Sequence, residues 1–196
     1  MFTKEMIDKI DKFLHDNLDI IFNFEFNGLL FLWGGAIKSI IMDTPVNDID
    51  FVLLTQEEDN ILEFIKKNKI DYKCPFIGVY NFNNYMVDLA LKNDLHNYGY
   101  STDLIFYDVN RKQIIPIGVK QSIKKRIIIN YDYRGYQNVK RRKHKKKRLI
   151  DAKKFIQFMN KDNKRVRVVR KNNYYRRMFI GFLKHPSKIK KLFRES

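Results

Sequence analysis

The sequence predicts an α+β fold, a sheet flanked by helices, continued by a basic and mostly helical C-terminal region. Two observations predict it. Between residues 1 and 128, short apolar or alternating runs of strand length interleave with stretches of helical spacing. The charge then divides unevenly. Residues 1–128 hold 15 Lys/Arg and 18 Asp/Glu, a net −3, while residues 129–196 hold 24 and 4, a net +20. The +17 of the whole chain is therefore a property of its C-terminal third, where a polyanionic partner is expected. The expected division is a head over 1–128 and a basic region over 129–196.

The rest of the composition excludes several classes. Hydrophobic residues make up 44% of the 196, ordinary for a globular chain. No apolar run reaches the ~18–20 residues that span a bilayer. The N-terminal stretch carries Glu5, Asp8, Asp11 and Asp16, unlike a secretory or transit signal. Cys74 is the one cysteine, which excludes an internal disulfide or a cysteine-based zinc site. His15, His96, His144 and His185 are scattered. A soluble, cytoplasmic protein is expected.

Taken in order, Met6, Ile7, Ile10, Phe13 and Leu14 recur at helical spacing opposite Lys4, Asp8 and Lys12, with Thr3 placed to cap. Asn27-Gly28 marks a turn. Leu29 to Trp33 is an apolar run of buried-strand length that ends at Gly34-Gly35, and Ala36 to Met42 has helical character. Thr44-Pro45 breaks that helix. Asp48 to Leu54 alternates, with Asp48, Asp50 and Val52 on one face and Ile49, Phe51 and Leu53 on the core face. Residues 57–67 read as a helix, and 72–77 as extended around Pro75. Val79 to Phe82 and Tyr85 to Leu91, joined by Asn83-Asn84, form a hairpin. A strand is expected over Ser101 to Asp108, another over Ile114 to Gly118, and a helix over Gln121 to Ile127. Val139 to Met159 reads as helical toward its end, Arg165 to Arg170 as a short strand or arm, and Pro186 precedes a last basic turn.

The chemistry concentrates in residues 33–54. Glycines just after a strand allow a sharp turn and a close backbone approach to a ligand. A helix start beside them would favour phosphate. Asp48 and Asp50, one strand repeat or about 7 Å apart, supply the hard oxygen ligands that a divalent metal takes. Singly, a Gly-Gly doublet is most often a turn and an Asp-x-Asp strand most often a polar face.

Together and in this order, Gly34, Gly35, Ala36, Ile37, Pro45, Asp48 and Asp50 resemble the active-site signature of the polymerase-β-like nucleotidyltransferases, above all the head domain of tRNA CCA-adding enzymes and bacterial poly(A) polymerases. The resemblance implies a nucleotidyltransferase-type mixed sheet and two-metal transfer from an NTP (ATP and/or CTP) with Mg²⁺ or Mn²⁺. It implies Asp48 and Asp50 as metal ligands, Asp88 as a third catalytic carboxylate on a neighbouring strand, and Gly34, Gly35, Lys38 and Ser39 at the nucleotide. A solvent-facing strand aspartate is the competing reading of Asp88. The family's Arg-Asp after the glycines is Lys38-Ser39 here. Lysine keeps a charge but loses the bidentate fork, and serine removes a carboxylate.

The similarity extends over residues 28–128, through the strand ending at Asp108, the Pro116 stretch and the Gly118-led helix. The family's Arg-Arg-Asp-aromatic-Thr motif is replaced by Asn97-Tyr98-Gly99-Tyr100-Ser101, and its Glu-Asp-x-x-Arg nucleotide-selection motif is absent. Asp103 stands near the family's Asn and reads as a strand-start residue. The C-terminal third matches no family pattern. There Lys140, Arg141, Arg142, Lys143, Lys145, Lys146, Lys147 and Arg148, and farther on Arg176 and Arg177 among tyrosines and phenylalanines, suit phosphate neutralisation with base stacking. A solvated basic face or a targeting signal is the competing reading.

The expected function is a template-independent RNA nucleotidyltransferase that adds nucleotides to an RNA 3′ end, with tRNA or another structured RNA as partner. The alternative is a catalytically inactive head-domain relative that binds RNA within a larger particle, which the Lys38-Ser39 change and the missing motif favour. A transferase acting on a protein or small molecule comes third, because it leaves the basic region unexplained.

Overall fold

A computed structural model describes residues 1–18, 29–54, 77–82, 85–91, 100–131 and 139–171. Expectations for 57–67, most of 72–77, the 83–84 turn and everything beyond 171, Arg176 and Arg177 included, fall outside the described residues.

A six-stranded mixed sheet organises the chain. Its strands are β1 (Leu29–Trp33), β2 (Asp48–Leu54), β3 (Ile77–Phe82), β4 (Tyr85–Leu91), β5 (Phe106–Asp108) and β6 (Gln113–Ile115), in the order β3-β4-β2-β1-β5-β6. β2 and β4 run parallel; the other neighbours are antiparallel. A second, two-stranded parallel sheet joins β7 (Ile127–Tyr131) to β8 (Arg167–Lys171). The described α-helices are α1 (Lys4–Asn17), α2 (Gly35–Ile41), α3 (Val119–Lys125) and α4 (Val139–Met159). No described helix is long and apolar enough to cross a membrane.

Local chemistry explains the elements. The Thr3 hydroxyl accepts a hydrogen bond from the Met6 N–H at 3.4 Å, capping α1, whose Ile10 and Leu14 are fully buried. On β2, Ile49, Phe51 and Leu53 enter the main core with Leu30, Leu32 and Val87, as the alternation predicts. The opposite face carries a smaller cluster of Phe31, Val52, Leu104 and Phe106. β2 therefore buries both faces toward Leu54 but only one at its start, where Asp48 is exposed.

Two expectations are corrected. Residues 101–108 are not one strand: Ser101–Asp103 is a 3₁₀ turn, and β5 begins at Phe106. The helix expected over 121–127 begins two residues earlier and ends at Lys125, because Arg126 adopts a left-handed φ of 52° and leads into β7. Arg126 is fixed there by a fork on Asp162 at 2.6 and 2.5 Å.

The core does not divide at 128/129. Ala152, Phe155 and Ile156 of α4, Val166, and Ile128 of β7 join the cluster that contains Leu14, Ile37 and Ile49. Net charge describes the surface of a segment, whereas α4 also carries apolar residues at 152, 155, 156 and 159, one face at helical spacing. Burying an aromatic such as Phe155 on that face contributes about 1.5–3 kcal/mol.

Candidate active site

Backbone register places the predicted site residues in one row across the large sheet. Asp88 pairs with Asp50, Asp50 with Trp33, and Trp33 with Phe106. Neighbouring strands are about 4.8 Å apart, so residues 88, 50 and 33 occupy three successive strands within about 10 Å. Trp33 stacks on Phe106 with ring centroids 6.2 Å apart at 11°, a flat apolar floor beside Asp50. Asp50 is half-buried and Asp48, two residues before it, is exposed. The side chain of Asp88 lies outside the described residues; its backbone position in register with Asp50 is what the structure gives.

The Gly34 turn closes one end of this row. Gly34 has φ 76° and ψ −123°, a conformation that strains any residue with a Cβ. A Cβ built there would lie 4.0 Å from Asp50 Oδ2, so the carboxylate stands just above the turn. Over Gly35 the space is open, with nothing within 4 Å of a built Cβ, and Gly35 is exposed. Replacing Gly34 by Ala is expected to lower stability by about 1–3 kcal/mol through backbone strain alone. Urea unfolding checks this, and Gly35→Ala, with open space around it, is the paired control. Equal losses in both would remove the conformational reason for Gly34.

Two nucleotide-site expectations meet a different geometry. The Gly34 N–H donates to the Ile105 carbonyl at 3.1 Å, which ties the turn to the residue just before β5 and leaves that donor engaged. Lys38, expected at the triphosphate, is buried. Its ammonium lies 2.7 Å from Asp103 Oδ1, and the two side chains keep 8% and 4% of their exposure. Ser39, also expected at the nucleotide, is half-buried on α2, and its carbonyl accepts from the Thr44 N–H at 2.9 Å.

Asp103 is the residue sequence reasoning missed. It read as a strand start, yet it sits at the end of the 3₁₀ turn with both carboxylate oxygens engaged. Oδ1 takes Lys38; Oδ2 takes the Tyr100 N–H at 3.0 Å and Arg148 Nη2 at 2.6 Å. Burial pushes its pKa up, but the charges of Lys38 and Arg148 and the bonds from Lys38 and Tyr100 outweigh burial and hold it below the ordinary value. The turn itself is fastened: Ser101 Oγ lies 2.6 Å from Ser122 Oγ and accepts from the Ile129 N–H at 3.0 Å.

Arg148, expected to grip RNA, thus reaches back from α4 to the head and keeps 31% of its exposure. Lys146 and Lys147 are exposed. Residues 140, 141, 142, 143 and 145 lie on the α4 backbone, with side chains outside the described set.

For a divalent metal, Asp48 and Asp50 offer suitable oxygens at the open start of β2. Among the described residues, no group of three or more His, Cys, Asp or Glu side chains could hold a metal ion. A complete ligand set therefore needs a carboxylate such as that of Asp88, or substrate oxygens.

No protein-family model and no curated protein sequence matches the chain. Solved structures similar to it include a CCA-adding enzyme in complex with CTP, at 17% identity and TM-score 0.47, covering 82% of this chain and 42% of that one. A Thermotoga maritima CCA-adding enzyme complexed with tRNA matches at 17% identity and TM-score 0.43, covering 65% and 33%. A tRNA nucleotidyltransferase with a primer tRNA and an incoming ATP analogue matches at 13% identity and TM-score 0.44, covering 83% and 48%. The chain thus spans less than half the length of each of these proteins.

Proposed function

We propose that the chain is an RNA nucleotidyltransferase, adding one or more nucleotides from an NTP to an RNA 3′ end, with tRNA as the first substrate to test. The observation that carries the reading is the Asp50 carboxylate standing over the positive-φ Gly34 turn, with Asp50 in backbone register with Asp88. Such a turn admits a ligand's phosphates close to the backbone, beside the Asp50 carboxylate.

In this reading Asp48 and Asp50 hold divalent metal, with Asp88 on the adjoining strand as a third ligand. The metal ions, when bound, supply activation of the RNA 3′-hydroxyl and neutralisation of the leaving pyrophosphate. The chain's own residues do the positioning. Gly34 and Gly35 leave room over the turn for the triphosphate, with open space around Gly35. Ser39 sits one turn along α2. Lys38 acts differently from a family arginine: paired with Asp103, it fixes α2 behind the turn. The basic surface after residue 129 holds the RNA backbone.

A second reading is favoured by one observation. The Gly34 amide and the Lys38 ammonium, two expected triphosphate donors, are already engaged inside the protein. That arrangement suits a head-domain relative that binds RNA without catalysis. Incubating the purified chain with total tRNA, Mg²⁺ or Mn²⁺ and each labelled NTP separately decides between the two. Incorporation with one or two NTPs supports the transferase and gives its base preference. No incorporation with any NTP, together with salt-sensitive RNA binding, establishes the second reading instead.

A further inference from the structure

The apolar residues Ala152, Phe155 and Ile156 pin one side of α4 to the core, and Arg148 is held by Asp103. The side turned away carries Lys146, Lys147, Ile150, Lys153, Lys154 and Phe158. Lys146, Lys147 and Lys154 are exposed, Lys153 is half-exposed, and Ile150 and Phe158 each keep 44% of their exposure. The helix repeat arranges them. Lys146 and Lys153, and likewise Lys147 and Lys154, are seven residues or about 10 Å apart, giving two lysine pairs along the axis. Ile150 lies between the pairs, and Phe158 one turn beyond Lys154. Asp151 is the acidic residue at the edge of this face and is half-exposed.

Four lysines on one helix face repel one another unless a polyanion neutralises them, and an exposed aromatic among them offers a ring face to stack on. We propose that this ridge of α4 is a single-stranded RNA-binding surface, in which the four lysines contact successive phosphates and Phe158 stacks on an unpaired base. The proposal rests on the RNA-partner part of the function proposed above and adds the surface and the strandedness. Unpaired bases present ring faces to an aromatic, while a duplex presents only base edges, and the A-form major groove is too narrow for side chains to read. An acidic protein partner fits less well. Ile150 and Phe158 are eight residues, about 12 Å, apart and make no contiguous apolar patch of the kind an interface core needs.

The test measures fluorescence anisotropy of a labelled single-stranded oligoribonucleotide with the full chain, across about 50 to 200 mM salt. No NTP or divalent metal is present, so an inactive transferase can still pass, and a failed ridge leaves the transfer assay untouched. Replacing Lys146, Lys147, Lys153 and Lys154 together by Gln should lower the slope of log affinity against log salt by about 2–3, at ~0.7 per phosphate released. F158L keeps apolar volume but loses the ring, and should weaken binding about fivefold or more at unchanged slope. F158Y should restore it. Circular dichroism and unfolding midpoints of each variant establish that α4 still folds. The proposal is overturned if the lysine variant keeps the wild-type slope or if F158L binds as well as wild type. It is equally overturned if a matched RNA duplex binds as tightly, or if a polyglutamate peptide binds in its place.

Discussion

Asp50→Ala is expected to abolish measurable nucleotide transfer, a loss of about a thousandfold or more, while RNA binding and folding persist. The magnitude follows from what a metal carboxylate does: charge stabilisation at the reacting phosphate is worth several kcal/mol, and each ~1.4 kcal/mol is a factor of ten in rate. Asp50→Asn is the sharper variant. It keeps the side chain's size over the Gly34 turn but removes the negative charge. Asp48→Ala should give a comparable loss, because exposure at the start of β2 leaves its carboxylate open to a ligand shared with Asp50. Asp88→Ala then separates the two readings of that residue: a third ligand loses transfer with the others, while a solvent-facing strand residue leaves it within a fewfold. Single-turnover incorporation with saturating RNA measures all four. Transfer retained in an Asp48/Asp50 double variant would end the metal assignment.

The parts of this site that were legible in the sequence are those fixed by local pattern. β2 runs from Asp48 to Leu54 as its alternation predicts, because inward Ile49, Phe51 and Leu53 admit only one face to the core. β1 ends at Trp33 where the glycines begin, and β3 and β4 pair antiparallel, with β3 starting two residues before the Val79 expected. What was not legible depends on partners far along the chain. Asp103 meets Lys38 across 65 residues and Arg148 across 45, and nothing within the window around Ser101 to Asp108 signals either. A glycine pair likewise does not reveal that one of its amides is taken by Ile105. Net charge points to where a polyanion is expected and says nothing of packing: a helix in the basic region can carry lysines outward and still lend Phe155 and Ile156 to the core. The run Ile127 to Ile129 was similarly ambiguous, since three isoleucines after a helical stretch continue a helix or open a strand equally well by periodicity. The left-handed Arg126, locked by Asp162, decides for the strand.

The largest expected effect on stability belongs to Asp103. Asp103→Ala should destabilise the chain by about 3–5 kcal/mol, because it leaves the Lys38 ammonium buried with its charge unmatched. Lys38→Met should cost less, since Asp103 keeps Arg148 and the Tyr100 N–H. The Lys38→Met/Asp103→Leu double variant should recover most of the loss, as replacing a buried pair by apolar residues is often neutral, and Arg148 at 31% exposure can turn to water. The pH dependence has a definite sign. The folded-state pKa of Asp103 is depressed below the ordinary 3.8, so its contribution is fully present above that unfolded value. It fades as pH falls through 3.8 toward the native value, where the carboxyl protonates in the folded chain too. Urea midpoints of wild type and Asp103→Asn should therefore differ most near neutral pH and draw together in acid. A gap that stays constant as pH falls well below 3.8 would mean that Asp103 acts by shape rather than charge. The same pair of measurements bears on the site, because α2 carries Lys38 one turn after Gly34. If charge holds α2 in place, Asp103→Asn should also raise the KM for NTP more than it lowers RNA affinity, through a turn displaced from Asp50 and not through any contact of Asp103 with substrate.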